Sequence, residues 1–239
     1  MNHLLEITGL NAGYLPGVDI INNVSMTVDK GERVGIIGLN GSGKSTLGKA
    51  IAGMVPHRNG SIRLDGIETI KFSTHQLSSI GVNVMQQGGI VFSNLSVLDN
   101  LQLAFGVADR MKNFEKLQST IPLLQENKRQ LQRSMADRLS GGQRHQLALA
   151  MTLACNPKLV ILDEPSAGLS PKAIDEMYVI IESVCHETGV AVVLIEQAVS
   201  RAVQFCDRCL LIETGSIAKE FIQPDLSEIE SAMFSLKNK

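Results

Sequence analysis

Short apolar runs without alternation recur along this chain, and between them lie longer stretches whose apolar residues repeat at helical spacing. Arg33-Val-Gly-Ile-Ile37, the stretch 80–85, Lys158-Leu-Val-Ile-Leu-Asp163 and Val190-Ala-Val-Val-Leu-Ile195 read as strands buried on both faces of a parallel sheet. Leu4–Leu10 alternates apolar with polar and reads as a first strand, followed by a loop over Asn11–Gly17. Val24–Val28 is a further strand. Pro56–Gly60 reads as a turn leading into a short strand over Ser61–Leu64.

Between Ser96 and Arg138 the pattern changes. Leu98, Leu101 and Leu103 to Phe105, then Phe114, Leu117, Ile121 and Leu124 fall at helical spacing among Gln, Lys and Arg, which predicts a small helical insert. Helices are also expected after Thr46, over Arg144–Cys155, from Pro171 to Thr188 and over Ser227–Leu236. Cys209–Ile212 and Ser216–Lys219 form a closing hairpin around Glu213-Thr-Gly215. Strands alternating with helices put the fold in the α/β class.

Three stretches carry chemistry. Gly38-Leu39-Asn40-Gly41-Ser42-Gly43-Lys44-Ser45-Thr46 fits G-x-x-x-x-G-K-[ST] between a strand and a helix, the phosphate-binding P-loop. Its N–H groups and the helix N-terminus make an anion cradle, Lys44 would reach the β- and γ-phosphates, and the Ser45 hydroxyl would hold Mg²⁺. Leu139-Ser140-Gly141-Gly142-Gln143 opens a helix with a good N-cap serine and is either a second anion-binding end or a simple cap. The strand ending Asp163-Glu164 delivers two carboxylates to the crevice at the sheet's carboxyl end: Asp163 can hold hydrated Mg²⁺ and Glu164 can take a proton from an attacking water.

Other residues have two readings. Gln86-Gln87-Gly88-Gly89 reaches into that crevice or makes a polar turn; Gln197, after the strand ending Ile195, contacts a γ-phosphate or caps. Tyr14 stacks on a base or closes an edge of the core.

Composition narrows the class. At 239 residues the chain buries a core without staples, and a net charge of −2 gives no basic field, so nucleic acid is not an expected partner. No apolar run reaches the roughly 18 residues that span a bilayer, and Met1–Glu6 lacks the basic and apolar regions of a signal peptide, so a cytoplasmic protein is expected. Cys155, Cys185, Cys206 and Cys209 suit a reducing compartment. Cys206-Asp-Arg-Cys209 is two ligands short of a zinc site and is read as core packing. Lys128, Arg129 and Arg133 are read as a solvated face. His3, His57, His75, His145 and His186 are read as surface or packing residues, with His145 on the outer face of its helix.

Taken in order, Gly38–Thr46, Leu139–Gln143 and Leu159–Glu164 resemble the ATP-binding subunits of ABC transporters over nearly the whole chain. The resemblance implies one ABC ATPase domain over 1–239. Its P-loop NTPase core, 1–87 and 156–222, would have a mostly parallel sheet and an N-terminal antiparallel β portion; a helical subdomain, 88–155, would carry the signature, and 223–239 would form a C-terminal helix. It implies an adenine-stacking role for Tyr14, a metal and water role for Gln87, a catalytic base in Glu164 and a D-loop over Ser166–Pro171. It further implies ATP and Mg²⁺, a head-to-tail second ATP-binding subunit whose Ser140–Gln143 close over the other's P-loop, and separate membrane permease subunits on the cytoplasmic face of the membrane.

Gln87–Phe92, Glu164–Pro171 and Leu194–Gln197 are similar to the subunits of branched-chain amino acid importers and their urea or amide relatives, which work with a substrate-binding protein. Two residues depart from the general pattern: Ser170 stands where the D-loop has Asp, and Gln197 where most members have a switch histidine. A soluble ABC-class ATPase outside transport, such as an iron–sulfur assembly scaffold, is the alternative reading.

Overall fold

The computed structural model of the protein describes residues 3–104, 110–125 and 127–237; Phe105 lies outside them, as does the side chain of Lys128. The smaller sheet holds β1 (Leu5–Gly13), β2 (Ile21–Val28), β4 (His57–Leu64) and β5 (Ile67–Glu68), all antiparallel, in the order β2-β1-β4-β5. The larger sheet holds β3 (Arg33–Ile37), β6 (Val82–Met85), β7 (Leu159–Asp163), β8 (Ala191–Ile195), β9 (Arg208–Glu213) and β10 (Ser216–Ile222), in the order β10-β9-β3-β8-β7-β6. Its strands are parallel except for β10, which returns antiparallel along β9.

The unalternating apolar runs have the cause expected of them. In β7 and β8 every residue is buried, and successive residues feed opposite cores. Val160, Leu162, Val192 and Leu194 pack with the helices that connect β6 to β7, whereas Leu159, Ile161, Ala191, Val193 and Ile195 pack with the first helix and the smaller sheet. Those connecting helices are α3 (Val97–Ala104), α4 (Arg110–Thr120), α5 (Lys128–Arg133) and α6 (Gly141–Leu153). The first helix is α1 (Lys44–Ile51). A short α2 (Thr74–Ser79) precedes β6, and α7 (Pro171–Thr188), α8 (Val199–Phe205) and α9 (Leu226–Lys237) complete the chain. Arg129 and Arg133 of α5 are exposed, and Cys206 and Cys209 are buried, as read from the sequence.

Two segments differ from the sequence expectation. β1 continues to Gly13 through the stretch expected as a loop, and β4 begins at His57 inside the expected Pro56–Gly60 turn; the two pair as far as Gly13 opposite His57. Register shifts between Ile7 and Ala12 break the period-two pattern that would have marked the longer strand. Gly60, with φ of 105°, lies so close to β1 that a Cβ there would sit 2.5 Å from the Gly9 carbonyl oxygen.

The closing hairpin supports the P-loop. Thr214 and Gly215 both have positive φ, 44° and 81°, as a two-residue type I′ connection requires. Gly215 N–H donates to the Ser42 carbonyl at 2.8 Å, and its own carbonyl accepts from Asn22 N–H at 2.9 Å. A Cβ at Gly215 would lie 1.9 Å from the Ile20 carbonyl oxygen, a backbone atom. Gly215→Ala is therefore expected to cost about 1–3 kcal/mol, read as a lower denaturation midpoint; an unchanged midpoint would show that the hairpin does not brace this loop.

Among the described residues no helix is long and apolar enough to cross a membrane.

Candidate active site

Because β6, β7, β8 and β3 run parallel in aligned register, with Met85 beside Leu162, Asp163 beside Ile195 and Ile195 beside Ile36, their carboxyl ends finish on one edge. The residues after each strand gather there.

After β3 the chain makes the loop 38–43. Gly41 and Gly43 have φ of 79° and 106°, a region that side chains disfavour, and a Cβ at Gly38 would meet the Ile212 carbonyl oxygen at 2.4 Å. The loop closes on itself through Ser42 N–H to the Leu39 carbonyl at 3.2 Å, and α1 begins with Leu47 N–H to the Gly43 carbonyl at 2.9 Å. Leu39 and Ser45 are half-buried, Asn40 and Gly41 are exposed, and Lys44 and Thr46 are buried.

Lys44 Nζ donates to the Gly38 and Leu39 carbonyls, both at 2.9 Å, which uses two of its three N–H bonds and leaves one for an anion. Burial holds its pKa below the ordinary lysine value, opposed by the nearby charges of Glu164, Asp163 and Glu196. Ser42 Oγ is buried without a hydrogen-bond partner among the described residues. An unpaired hydroxyl, a spare ammonium N–H and the N-terminal amides of α1 together suit a phosphate oxyanion.

Ser45 Oγ donates to Asp163 Oδ1 at 2.8 Å. Burial raises the Asp163 pKa, with the Ser45 hydrogen bond and Lys49 pulling it down and the Glu164 charge pushing it up. A hydroxyl beside a buried carboxylate is an oxygen donor set of the kind Mg²⁺ takes.

Next along the chain, Glu164 departs from strand geometry with φ of 48°, and its N–H donates to the Ile195 carbonyl at 2.9 Å. Two glutamine amides fix its carboxylate. Gln87 Nε2, after β6, donates to Oε2 at 2.6 Å, and Gln197 Nε2, after β8, donates to Oε1 at 2.5 Å. Both glutamines thus sit in the crevice, and the polar-turn and capping readings do not describe their side chains.

Ser140–Gln143 stand apart: no hydrogen bond joins them to 38–46 among the described residues. Ser140 caps α6 by a reciprocal box, with Gln143 N–H donating to Ser140 Oγ at 3.2 Å and Ser140 N–H to Gln143 Oε1 at 3.0 Å. Gly141 and Gly142 face the start of α7, where a Cβ would come within 3.7 Å of Leu169 and 3.6 Å of Ala173. Ser170 caps α7 through the Ala173 N–H at 3.4 Å, ahead of Pro171, so serine serves there as an aspartate would. Tyr14, 43% exposed, lies in the loop after β1.

His145 departs from its expected position. It is 5% exposed rather than on the outer face of α6; its Nδ1 lies 3.0 Å from the Gly141 carbonyl, and a Cβ at Gly89 would lie 2.9 Å from that nitrogen. The glycine after Gln87-Gly88 makes the room for the ring.

Residues 21–167 match the family model described as ABC transporter. The chain is 36% identical over 207 residues to the high-affinity branched-chain amino acid transport ATP-binding protein BraG of Pseudomonas aeruginosa, covering 85% of this chain and 87% of that one. It is 32% identical over 202 residues to the lipopolysaccharide export system ATP-binding protein LptB of Escherichia coli K12, covering 84% and 83%. The fold superposes on cbiO1 of Clostridium perfringens, described as part of the ABC transporter complex cbiONQ, with a TM-score of 0.80 at 22% identity over 99% of this chain and 94% of that one.

Proposed function

The chain belongs to the ABC transporter family as an ATP-binding subunit of the ATPase class, and we propose that it powers import of branched-chain amino acids or related small polar solutes through separate membrane permeases. The observation that carries the hydrolytic part is the Glu164 carboxylate held between Gln87 and Gln197 beside the Ser45–Asp163 pair. Phosphoryl transfer to water demands positioning and charge stabilisation more than covalent chemistry. Lys44 and the N–H groups of 38–46 bind the β- and γ-phosphates of ATP. Ser45, Asp163 and Gln87 would hold Mg²⁺, which supplies Lewis-acid stabilisation of phosphate charge. Glu164 takes the proton of the attacking water, Gln87 and Gln197 orient it, and Tyr14 stacks on adenine.

No hydrogen bond joins Ser140–Gln143 to their own P-loop among the described residues, which supports a site completed by a second ATP-binding subunit, identical or paralogous. The proposed organisation is a core of 1–87 and 156–222, a signature-bearing helical subdomain of 88–155 and a terminal helix of 223–239. Its permeases place the protein on the cytoplasmic face of the membrane, and a substrate-binding protein delivers the solute. Similarity to BraG and the motifs around Gln87, Glu164 and Gln197 support the amino-acid assignment; copurification with an amino-acid permease from native membranes tests it, and recovery with a lipopolysaccharide-export permease instead would overturn it.

Gln197 is tested separately. Gln197→Ala is expected to lower ATP turnover on the order of 10²-fold, the usual consequence of losing one aligned donor, while ADP affinity stays unchanged. An unaltered rate would return Gln197 to a structural role.

A further inference from the structure

A third carboxylate in the crevice has no part in that mechanism. Glu196 follows β8, is 3% exposed and collects three hydrogen bonds. Ser166 Oγ donates to its Oε1 at 2.7 Å, Tyr178 OH to the same oxygen at 2.8 Å, and Gln197 N–H to Oε2 at 3.1 Å. Its own N–H donates to the Ile36 carbonyl at 3.2 Å, so it is also anchored to the strand that leads into the P-loop.

We propose that Glu196 is a positioning residue: its buried carboxylate ties the loop 165–170, through Ser166, to Gln197, so that this loop and the glutamine beside the base shift together. The inference rests on the ATPase reading of the site. Ser166 lies two residues after Glu164, and Gln197 is the residue next to Glu196. One carboxylate therefore restrains both the exit from β7 that carries the base and the backbone of the residue whose side chain meets the base's Oε1. All three groups directed at Glu196 are donors, which an ionised carboxylate can accept at once and an amide cannot.

Tyr178 makes the assembly stiff. Its ring packs edge-on against Phe205, with centroids 5.8 Å apart, and lies beneath the Arg201 guanidinium at 5.9 Å; Arg201 in turn pairs with Asp175 at 2.6 Å. Burial, followed by the charge of Glu196, pushes the tyrosine pKa far above its ordinary value, so the hydroxyl remains a donor. Among the described residues Glu196 makes no ion pair with Lys, Arg or His at contact distance, although its charge acts on Lys44 through space. Keeping an unpaired carboxylate buried is costly, and three converging donors offset that cost only in this arrangement.

The test is steady-state ATP hydrolysis by the full chain with Glu196→Gln, Ser166→Ala, Tyr178→Phe, Gln197→Ala and the Ser166→Ala/Gln197→Ala double variant. Misplacing reacting groups by a fraction of an ångström is expected to lower kcat about 10- to 100-fold in Glu196→Gln, with KM for ATP and ADP binding unchanged within about twofold. Ser166→Ala and Gln197→Ala should be non-additive, the double variant being no slower than the slower single, and that non-additivity should vanish when Glu196→Gln is added. If Glu196→Gln fails to fold, the Ser166, Tyr178 and Gln197 variants alone decide the matter. Additive losses, or a raised KM at unchanged kcat, would overturn the link. Wild-type hydrolysis that does not depend on Glu164 would instead remove Glu164 from the role of base, and this inference, which positions groups around that base, with it.

Discussion

Glu164→Gln is expected to reduce ATP hydrolysis about 10²–10⁴-fold, the range that a positioned general base supplies, while ATP binding is retained. The substitution preserves shape and removes the proton acceptor. It also disturbs the neighbours, because the carboxylate accepts from Gln87 Nε2 and Gln197 Nε2 together, whereas an amide presents one acceptor and one donor. One of the two native glutamines must turn away. Stability should change little by comparison: the backbone strain at φ of 48° is the same for Glu and Gln, and the N–H bond to Ile195 does not involve the side chain. Phosphate release and equilibrium nucleotide binding on the same sample separate these effects. Retention of wild-type turnover would remove Glu164 from the role of base; loss of ATP binding would show instead that its charge organises the cradle.

The parts of this site that were legible in the sequence are those whose geometry is local. The loop 38–43 must turn through positive φ, so its glycines and the lysine after them announce it. Strands buried on both faces cannot alternate, and β7 and β8 therefore stand out as apolar runs whose first polar residue marks the crevice. Reading just past those runs led to Asp163, Glu164 and Gln197, but nothing in the order of residues shows that Ser166 and Tyr178 turn towards Glu196, which lies between Ile195 and Gln197. Those partners lie 30 and 18 positions away and meet Glu196 only once α7 packs on the sheet. His145 failed for the same reason: helical spacing gave its place on α6, whereas its burial depends on Gly89, on a different element, lacking a side chain. The bulged pairing of β1 with β4 was illegible because a register shift erases the periodicity by which a strand is recognised.

Asp163→Asn separates function from stability, and its two expected effects have opposite signs. Asp163 is 4% exposed and lies beside a second carboxylate, Glu164; burial and that repulsion raise its pKa more than the Ser45 hydrogen bond, Lys49 and Lys44 lower it. A carboxyl whose pKa is higher folded than unfolded binds its proton more tightly in the folded state. Its ionisation therefore removes stability as pH rises from the unfolded value towards the folded one, and that loss persists at neutral pH. Asparagine carries no charge and still offers an oxygen to Ser45 Oγ. In EDTA at neutral pH the variant is therefore expected to melt a few degrees above the wild type, at about 2–4 °C per kcal/mol recovered, and the difference should shrink as pH is lowered through the Asp163 titration. Hydrolysis should fall on the order of 10²–10³-fold, because the charge that would hold Mg²⁺ against the Ser45 hydroxyl is gone. A variant that melts lower than the wild type at neutral pH would show that the carboxylate is a net structural asset, and a variant with normal Mg²⁺-dependent turnover would move the metal site away from Asp163. A more stable protein that does not turn over is the signature of a buried charge retained for the ion it binds rather than for the fold it burdens.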